Sequence, residues 1–388
     1  MRRTTSRPPI RARAVATTIA AVFVLVAGPT AVQAAPPEHA RRHVDVMTYN
    51  IYFGADLSPL FAPEVDTLPE LIAAAAGVYN QTQQTDFPSR AEVIAREIAE
   101  QSPSLVGLQE VAVIQTAPIS DPGNPLTTLD FLDVLLAELE ERGAHYEAVA
   151  TNVNFSGTLP ISPTTLATLT DRDVILARSD LPTSQLKLSN TTSDTFDAAL
   201  TLTAGGVPLE IIRGWSSVDV KLRGKSFRFV NTHLEAFHPL IRQLQAAQLI
   251  GWMDDSPLPI ILAGDLNTVR GDPAGAYGMF IGAGFVDAWV DAMPGDPGYT
   301  SGQAADLMGP SMLDHAIDFV MYDTPSFLDA ATDSGEIIGE EDPEDRTPSG
   351  LWPSDHAGVD VTIHIARPCG RAASGGRAPG IREQTETP

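Results

Sequence analysis

Residues 257–267 read Pro-Leu-Pro-Ile-Ile-Leu-Ala-Gly-Asp-Leu-Asn. A proline-edged apolar run this short fits a buried strand better than a helix, and it ends on Gly264-Asp265-Leu266-Asn267, where small and polar residues stop the strand. Working backwards, Leu240 to Met253 has helical spacing. Before it, Val218 to Leu222 and Ser226 to Asn231 flank Arg223-Gly224-Lys225 as a hairpin would, and the second strand runs straight into Thr232-His233. The order is strand, polar terminus, helix, strand, carboxylate. Nearer the start, the same order recurs. Val44 to Tyr52 is a strand carrying Asn50, a helix follows from the Ser89 cap to Pro103, and Leu105 to Leu108 delivers Gln109-Glu110. The repetition is either a weak internal twofold or two ordinary α/β units in succession.

Between and beyond these units, a helix is expected over Leu129 to Arg142, with strands over Tyr146 to Val153, Val174 to Ala177, Ala316 to Met321 and Val359 to Ile365. Residues 181–210, poor in charge and rich in Thr, Ser and Leu, fit antiparallel strands or a long loop. Residues 55–88 hold Pro59, Pro63, Pro69 and Pro88 around one short helix, Pro69 to Tyr79, and are expected to shape the rim of any cleft.

The ends of the chain carry other signals. Arg2, Arg3, Arg7, Arg11 and Arg13, the apolar stretch Ala14 to Val26 and the small residues of Val32-Gln33-Ala34 have the layout of an export signal over residues 1–34. The apolar stretch is short for a membrane span, so the mature chain is expected to be secreted, extracellular and without a transmembrane segment. Residues 367–388 read as a disordered tail, leaving 44–366 as one catalytic domain. Without the five arginines of the signal, 20 basic side chains face 49 acidic ones, a net charge of −29. Affinity for a phosphate backbone comes largely from Lys and Arg, so no stable nucleic-acid complex is expected. The single cysteine, Cys369, cannot form an internal disulfide, and a monomer held by its core is expected.

Five motifs place polar groups at strand ends: Thr48-Tyr49-Asn50, Gln109-Glu110, Asn231-Thr232-His233, Gly264-Asp265-Leu266-Asn267 and Ser354-Asp355-His356. Singly each is an ordinary turn or cap. In this order, from Val44 to Ile365, the chain resembles the endonuclease/exonuclease/phosphatase superfamily. The resemblance implies a four-layer α/β sandwich, with two mixed β-sheets packed face to face and helices outside. It also implies a divalent-metal-dependent phosphoesterase that hydrolyses a phosphodiester or phosphomonoester by in-line attack of water. Glu110 and Asp355 would bind Mg²⁺ or Mn²⁺. His233, Asp265, Asn267, Asp318 and His356 would be catalytic, with Asp318 orienting His233 so that it stays cationic. Asn50 would contact phosphoryl oxygens.

Arg172, in Asp171-Arg172-Asp173, is a looser candidate, either for phosphate contact, as the resemblance implies, or for pairing with its acidic neighbours, and His315-Ala316-Ile317-Asp318 departs from the family pattern, where an Arg is common before the hydrophobic residue. The substrate is expected to be a lipid headgroup, a nucleic acid or a small phosphoester. A sphingomyelinase-like lipid phosphodiesterase and an extracellular DNase are the specific alternatives, and a non-catalytic binding module is the remaining one. Trp289, Trp352, Phe53, Leu57, Leu60 and Phe61 are either rim residues for a lipid or core.

Overall fold

The computed structural model describes residues 43–323 and 330–365. The expected export signal and the expected tail, with Cys369, lie outside the described residues. Among the described residues no helix is long and apolar enough to cross a membrane.

In chain order, β1 (His43–Asn50), α1 (Leu68–Gln84), α2 (Phe87–Gln101) and β2 (Leu105–Gln109) come first. They are followed by β3 (Val113–Pro118), β4 (Thr127–Asp130), α3 (Phe131–Glu141), β5 (Tyr146–Pro160) and β6 (Thr165–Arg178). Next come β7 (Leu186–Thr195), β8 (Leu200–Ala204), β9 (Val207–Ile211), β10 (Gly214–Leu222), β11 (Lys225–His233), α4 (Pro239–Asp254) and β12 (Ile260–Asp265). The chain then forms α5 (Ala276–Gly282), β13 (Phe285–Asp287), α6 (Ala288–Ala292), β14 (Asp318–Asp323), β15 (Ala331–Ile338) and β16 (Gly358–His364).

One sheet runs β15-β16-β1-β2-β6-β3-β4, with β5 also on β6, and the other runs β13-β14-β12-β11-β10-β7. The pair β8-β9 stands apart. The two expected units are both present as parallel pairs, β1 with β2 and β11 with β12, one at the centre of each sheet.

Alternation along the strands makes the layers. In β1, Val44 and Val46 enter a core shared with Val218, Val220, Phe227, Phe229 and Ile261 of the other sheet. Met47 and Tyr49 face the opposite way, onto Ala91, Ile94 and Ile98 of α2 and Leu135 and Leu139 of α3. On the far side, Val230, Leu262 and Phe319 pack on Ala246 and Leu249 of α4 and Phe280 of α5. The result is helices, sheet, sheet, helices, as the resemblance implied.

Where the expectations differ, the causes are local. The helix read as Pro69 to Tyr79 runs over Leu68–Gln84, started by a capping box between Thr67 and Glu70. Asp86, not Ser89, occupies the cap position of α2. Strands β3, β4, β13 and β15 were not foreseen, being short or without clear alternation.

At one end the sheets are bound by polar groups. Asn231 of β11 donates from Nδ2 to the carbonyl oxygens of Leu108 and Val174 in the opposing sheet, at 3.0 and 3.2 Å, and its Oδ1 accepts from Gln109 Nε2 at 2.7 Å. The close approach requires Gly107, where a Cβ would stand 2.7 Å from Asn231 Oδ1 and 3.2 Å from Ala263 Cβ. Truncating Asn231 to Ala strands several buried polar groups and should cost about 3 kcal/mol, read as a lower urea midpoint. A loss below about 1 kcal/mol would show that this clamp does not hold the sheets.

A second expectation concerns Asp360 on the outer face of β16, directly opposite Glu336 of β15. Burial first, then the charges of Asp45 and Glu336, raise its carboxyl to about 8. The unfolded chain ionises at lower pH than the folded one, so this group's contribution is intact below the unfolded value near 3.9 and is lost as pH rises through about 8. Asp360→Asn should therefore match the parent near pH 4 and exceed it in stability increasingly toward pH 9. Parallel stability curves would refute the assignment.

Candidate active site

The polar ends of the two parallel units meet. Asn50, closing β1, donates from Nδ2 to Glu110 Oε1 of its own sheet and to Asp265 Oδ2 of the other, each at 3.1 Å, while its Oδ1 accepts from the Tyr52 backbone at 3.0 Å. The second oxygen of Glu110 accepts from the Phe53 backbone at 3.0 Å. Both amide hydrogens of Asn50 are thus spent on carboxylates. Asn50 was expected to bind phosphate, but here it couples the two sheets.

Asp265 is the hub. Its Oδ2 lies 3.4 Å from His233 Nε2 and 4.0 Å from His356 Nε2, and its Oδ1 accepts from the Asn267 backbone at 2.9 Å. Gly264 lets β12 pass close to β11, since a Cβ there would sit 2.1 Å from the Thr232 carbonyl oxygen. The Asn267 side chain donates to the Leu234 carbonyl at 3.0 Å, tying the loop after Asp265 to the one after His233. One of its two amide hydrogens remains for a ligand.

Asp318, at the start of β14, accepts from His356 Nδ1 at 2.9 Å. This corrects the expected pairing of Asp318 with His233. The reason is topological: β14 runs antiparallel beside β12, and Thr300 Oγ1, accepting from the backbones of Ile317 and Asp318, fixes that strand start next to residues 354–357. The neighbouring loop is tied in as well, by Ser354 Oγ donating to the Asn50 carbonyl at 2.7 Å.

The two histidines therefore differ in charge. Burial opposes a cation at His356, but Asp318, assisted by Asp355 and Asp265, overrides it and raises the imidazole well above its usual range. Burial, Arg213 and His356 all push His233 well below it. Arg213 Nη1 lies 3.0 Å from His233 Nδ1, and a guanidinium can only donate. The His233 proton is thereby placed on Nε2, toward Asp265. His233 is the neutral histidine, contrary to the expectation of a cation there.

Arg172 is not brought to the site. In β6 alternate residues face opposite ways, and Arg172 reaches out to Asp130 Oδ1 at 2.5 Å and the Val111 carbonyl at 2.9 Å. Its neighbours Asp171 and Asp173 face inward, where Asp171 Oδ2 accepts from Arg213 at 3.2 Å and Asp173 Oδ1 lies 4.0 Å from His233 Nδ1. The inward faces of Ile175 and Ala177 set this phase, so period-two counting would have found both acids. Arg213 carries no motif and was missed.

Carboxylates dominate the cleft. Burial, then the charges of Asp355 and Asp171, raise Glu110 to about 8. Burial, then Asp318, raises Asp265 to about 7, and burial also raises Asp355. Glu110 and Asp355 line the same cleft. Crowded, desolvated oxygen donors of this kind suit a hard cation. Asp265, Asp318 and His356 form a second compact group, with ligand atoms within 4.8 Å of one another. There the bond to Asp318 keeps a proton on His356 Nδ1.

Of the aromatic and apolar residues singled out in the sequence, Trp289, Trp352 and Leu60 are buried, while Phe53, Leu57 and Phe61 are half-buried and line the cleft.

No curated protein sequence matches the chain. The mannosyl-6-phosphatase of Bacteroides thetaiotaomicron VPI-5482 superposes with a TM-score of 0.53 at 16% identity, over 82% of this chain and 99% of its own. An endonuclease/exonuclease/phosphatase family protein of the same species gives 0.52 at 16%, over 84% and 98%. One from Leptotrichia buccalis C-1013-b gives 0.50 at 17%, over 83% and 99%. At such identities the likeness is one of fold. A model of the Endonuclease/Exonuclease/phosphatase family matches residues 47–356, which takes in the strand ends from Asn50 to His356, and the chain belongs to that family.

Proposed function

We propose that the chain is a secreted Mg²⁺- or Mn²⁺-dependent hydrolase of phosphoester bonds that uses water as the attacking group. The observation that carries this reading is the meeting of Asn50, Glu110, Asp265 and His356 from both sheets in one cleft. The basic, apolar and small-residue layout of residues 1–34 supports export.

Glu110 and Asp355 would hold the ion, whose chemistry when bound is to polarise a phosphoryl oxygen and offset charge on the leaving oxygen. Asp265, raised to about 7, is a base matched to neutral pH and takes the proton of the attacking water. His356, kept cationic by Asp318, stabilises the negative charge that builds on the phosphoryl group. His233 supplies a neutral Nε2–H donor, and Asn267 an amide hydrogen. A nuclease is less favoured, because among the described residues Arg213 is the only arginine or lysine lining the cleft.

EDTA should abolish hydrolysis of bis-p-nitrophenyl phosphate, and Mg²⁺ or Mn²⁺ should restore it; activity that persists in chelator would sink the metal assignment. Glu110→Gln and His356→Ala should each lower kcat by roughly 10²- to 10⁴-fold. Glu110→Gln should fold at least as stably as the parent above neutral pH, because a carboxyl raised to about 8 costs stability as pH rises through that value. It should also lose the rise in Tm that Mg²⁺ gives the parent. Near-normal turnover in either variant would reject its role.

A further inference from the structure

The cleft that holds the catalytic groups continues into an apolar groove, the two together enclosing about 370 Å³. Its walls come from α1, the turn Ser58–Phe61, β9 and the parts of β5 and β6 nearest the site. Leu57, Phe61, Val78, Leu159, Ile161 and Leu209 line it. These six belong to an apolar cluster whose buried centre is only Leu60, Leu71, Ala75 and Ala204, and each of the six remains half-buried. Two sheets and two helix layers already close the main cores, so this is apolar surface that folding leaves uncovered.

We infer that the groove takes an alkyl or acyl chain borne by the phosphoester, so that the substrate is an amphiphile. The inference rests on the phosphoesterase reading above and names the class of molecule that reading would act on. The groove is continuous with Glu110, Asp265, Asp355 and His356, so a phosphate placed among them projects its ester substituent along the apolar wall. A sugar would need several hydrogen-bonding partners there, and the wall is mostly aliphatic. A polyanion would need cations, and among the described residues Arg213 is the only arginine or lysine in the lining. A second observation comes from the rim. Phe237 lines the groove and is 57% exposed, and Leu240 and Leu244 on the next turns of α4 are 58% and 52% exposed. Such a ridge suits a substrate drawn from a micelle or a bilayer.

The test is a series of p-nitrophenyl alkyl phosphodiesters with methyl, butyl, octyl and decyl chains, each below its micelle concentration, with Mg²⁺ present. We expect kcat/KM to rise roughly fourfold per methylene buried until the groove is full. Leu159→Asp and Val78→Asp sit on half-buried positions and should fold, shown by circular dichroism. Each should flatten the series while leaving the methyl ester rate unchanged. A flat series in the parent, with the methyl ester still hydrolysed, overturns the chain site and leaves the phosphoesterase reading standing; no hydrolysis of any member overturns both. A dinucleotide preferred to the octyl ester gives the groove to a nucleobase, and a flat series with dimers in sedimentation gives it to a second copy. Either result overturns the proposal.

Discussion

The cleft depends on one amide. Asn50 Nδ2 gives one hydrogen to Glu110 in its own sheet and the other to Asp265 in the opposite sheet. A neutral donor between two carboxylates adds no charge that would have to be desolvated, and it holds both acids at hydrogen-bond distance from one atom. That geometry exists only if the sheets approach closely at their polar end. Gly107, Gly264 and the bonds from Asn231 to the Leu108 and Val174 carbonyls provide the approach. The packing of the sandwich and the spacing of the acids are therefore one constraint.

The surrounding charge follows from it. Glu110, Asp171, Asp173, Asp265, Asp318 and Asp355 are drawn into low dielectric, and burial raises five of them: Glu110, Asp171, Asp173, Asp265 and Asp355. Two buried arginines answer them from either side. Arg213 bonds Asp171 and His233. Arg90 of α2, pushed by burial down to about 10 yet still charged, spends its hydrogens on the carbonyls of Ile51, Tyr52, Thr85 and Pro353. It thereby anchors both the segment leaving Asn50 and the one entering Asp355. Tyr52, Glu110 and Asn267 all adopt positive φ, at 56°, 59° and 49°. Held in a region that side chains avoid, each costs on the order of 1 kcal/mol or more, which the surrounding ties offset.

Much of this was legible in residue order. Apolar strands ending in Asn50, Glu110, His233 and Asp265 disclosed both parallel units, because a buried strand and its polar stop are local signals. Partner choice was not local. Whether Asp318 serves His233 or His356 depends on β14 lying antiparallel to β12, a pairing with no mark in either strand. Arg172 has a simpler cause: the resemblance pointed to the position just before a strand, whereas the strand's alternation turns that side chain outward to Asp130 and the Val111 carbonyl. Arg213 belongs to no pattern and reaches the cleft only through what folding sets beside it.

Residues 55–88 show how sequence and fold divide the work. Their prolines suggested a rim with one short helix, and the chain forms instead a 17-residue helix that reaches the sandwich core through Tyr79. The rest of its apolar face packs on the Ser58–Phe61 turn, the β8-β9 pair and the end of β5, and these do not close over it. The sheets fix where a phosphate can react, since Asn50, Glu110, His233, Asp265 and Asp318 all lie at or beside strand ends. The lobe fixes nothing about the reaction and everything about what can lie beside it. Changes in α1 or β9 can therefore alter the apolar wall without moving Asn50, Glu110 or Asp265, whereas a change at Asn231 or Gly107 reaches the acids through the sheets themselves.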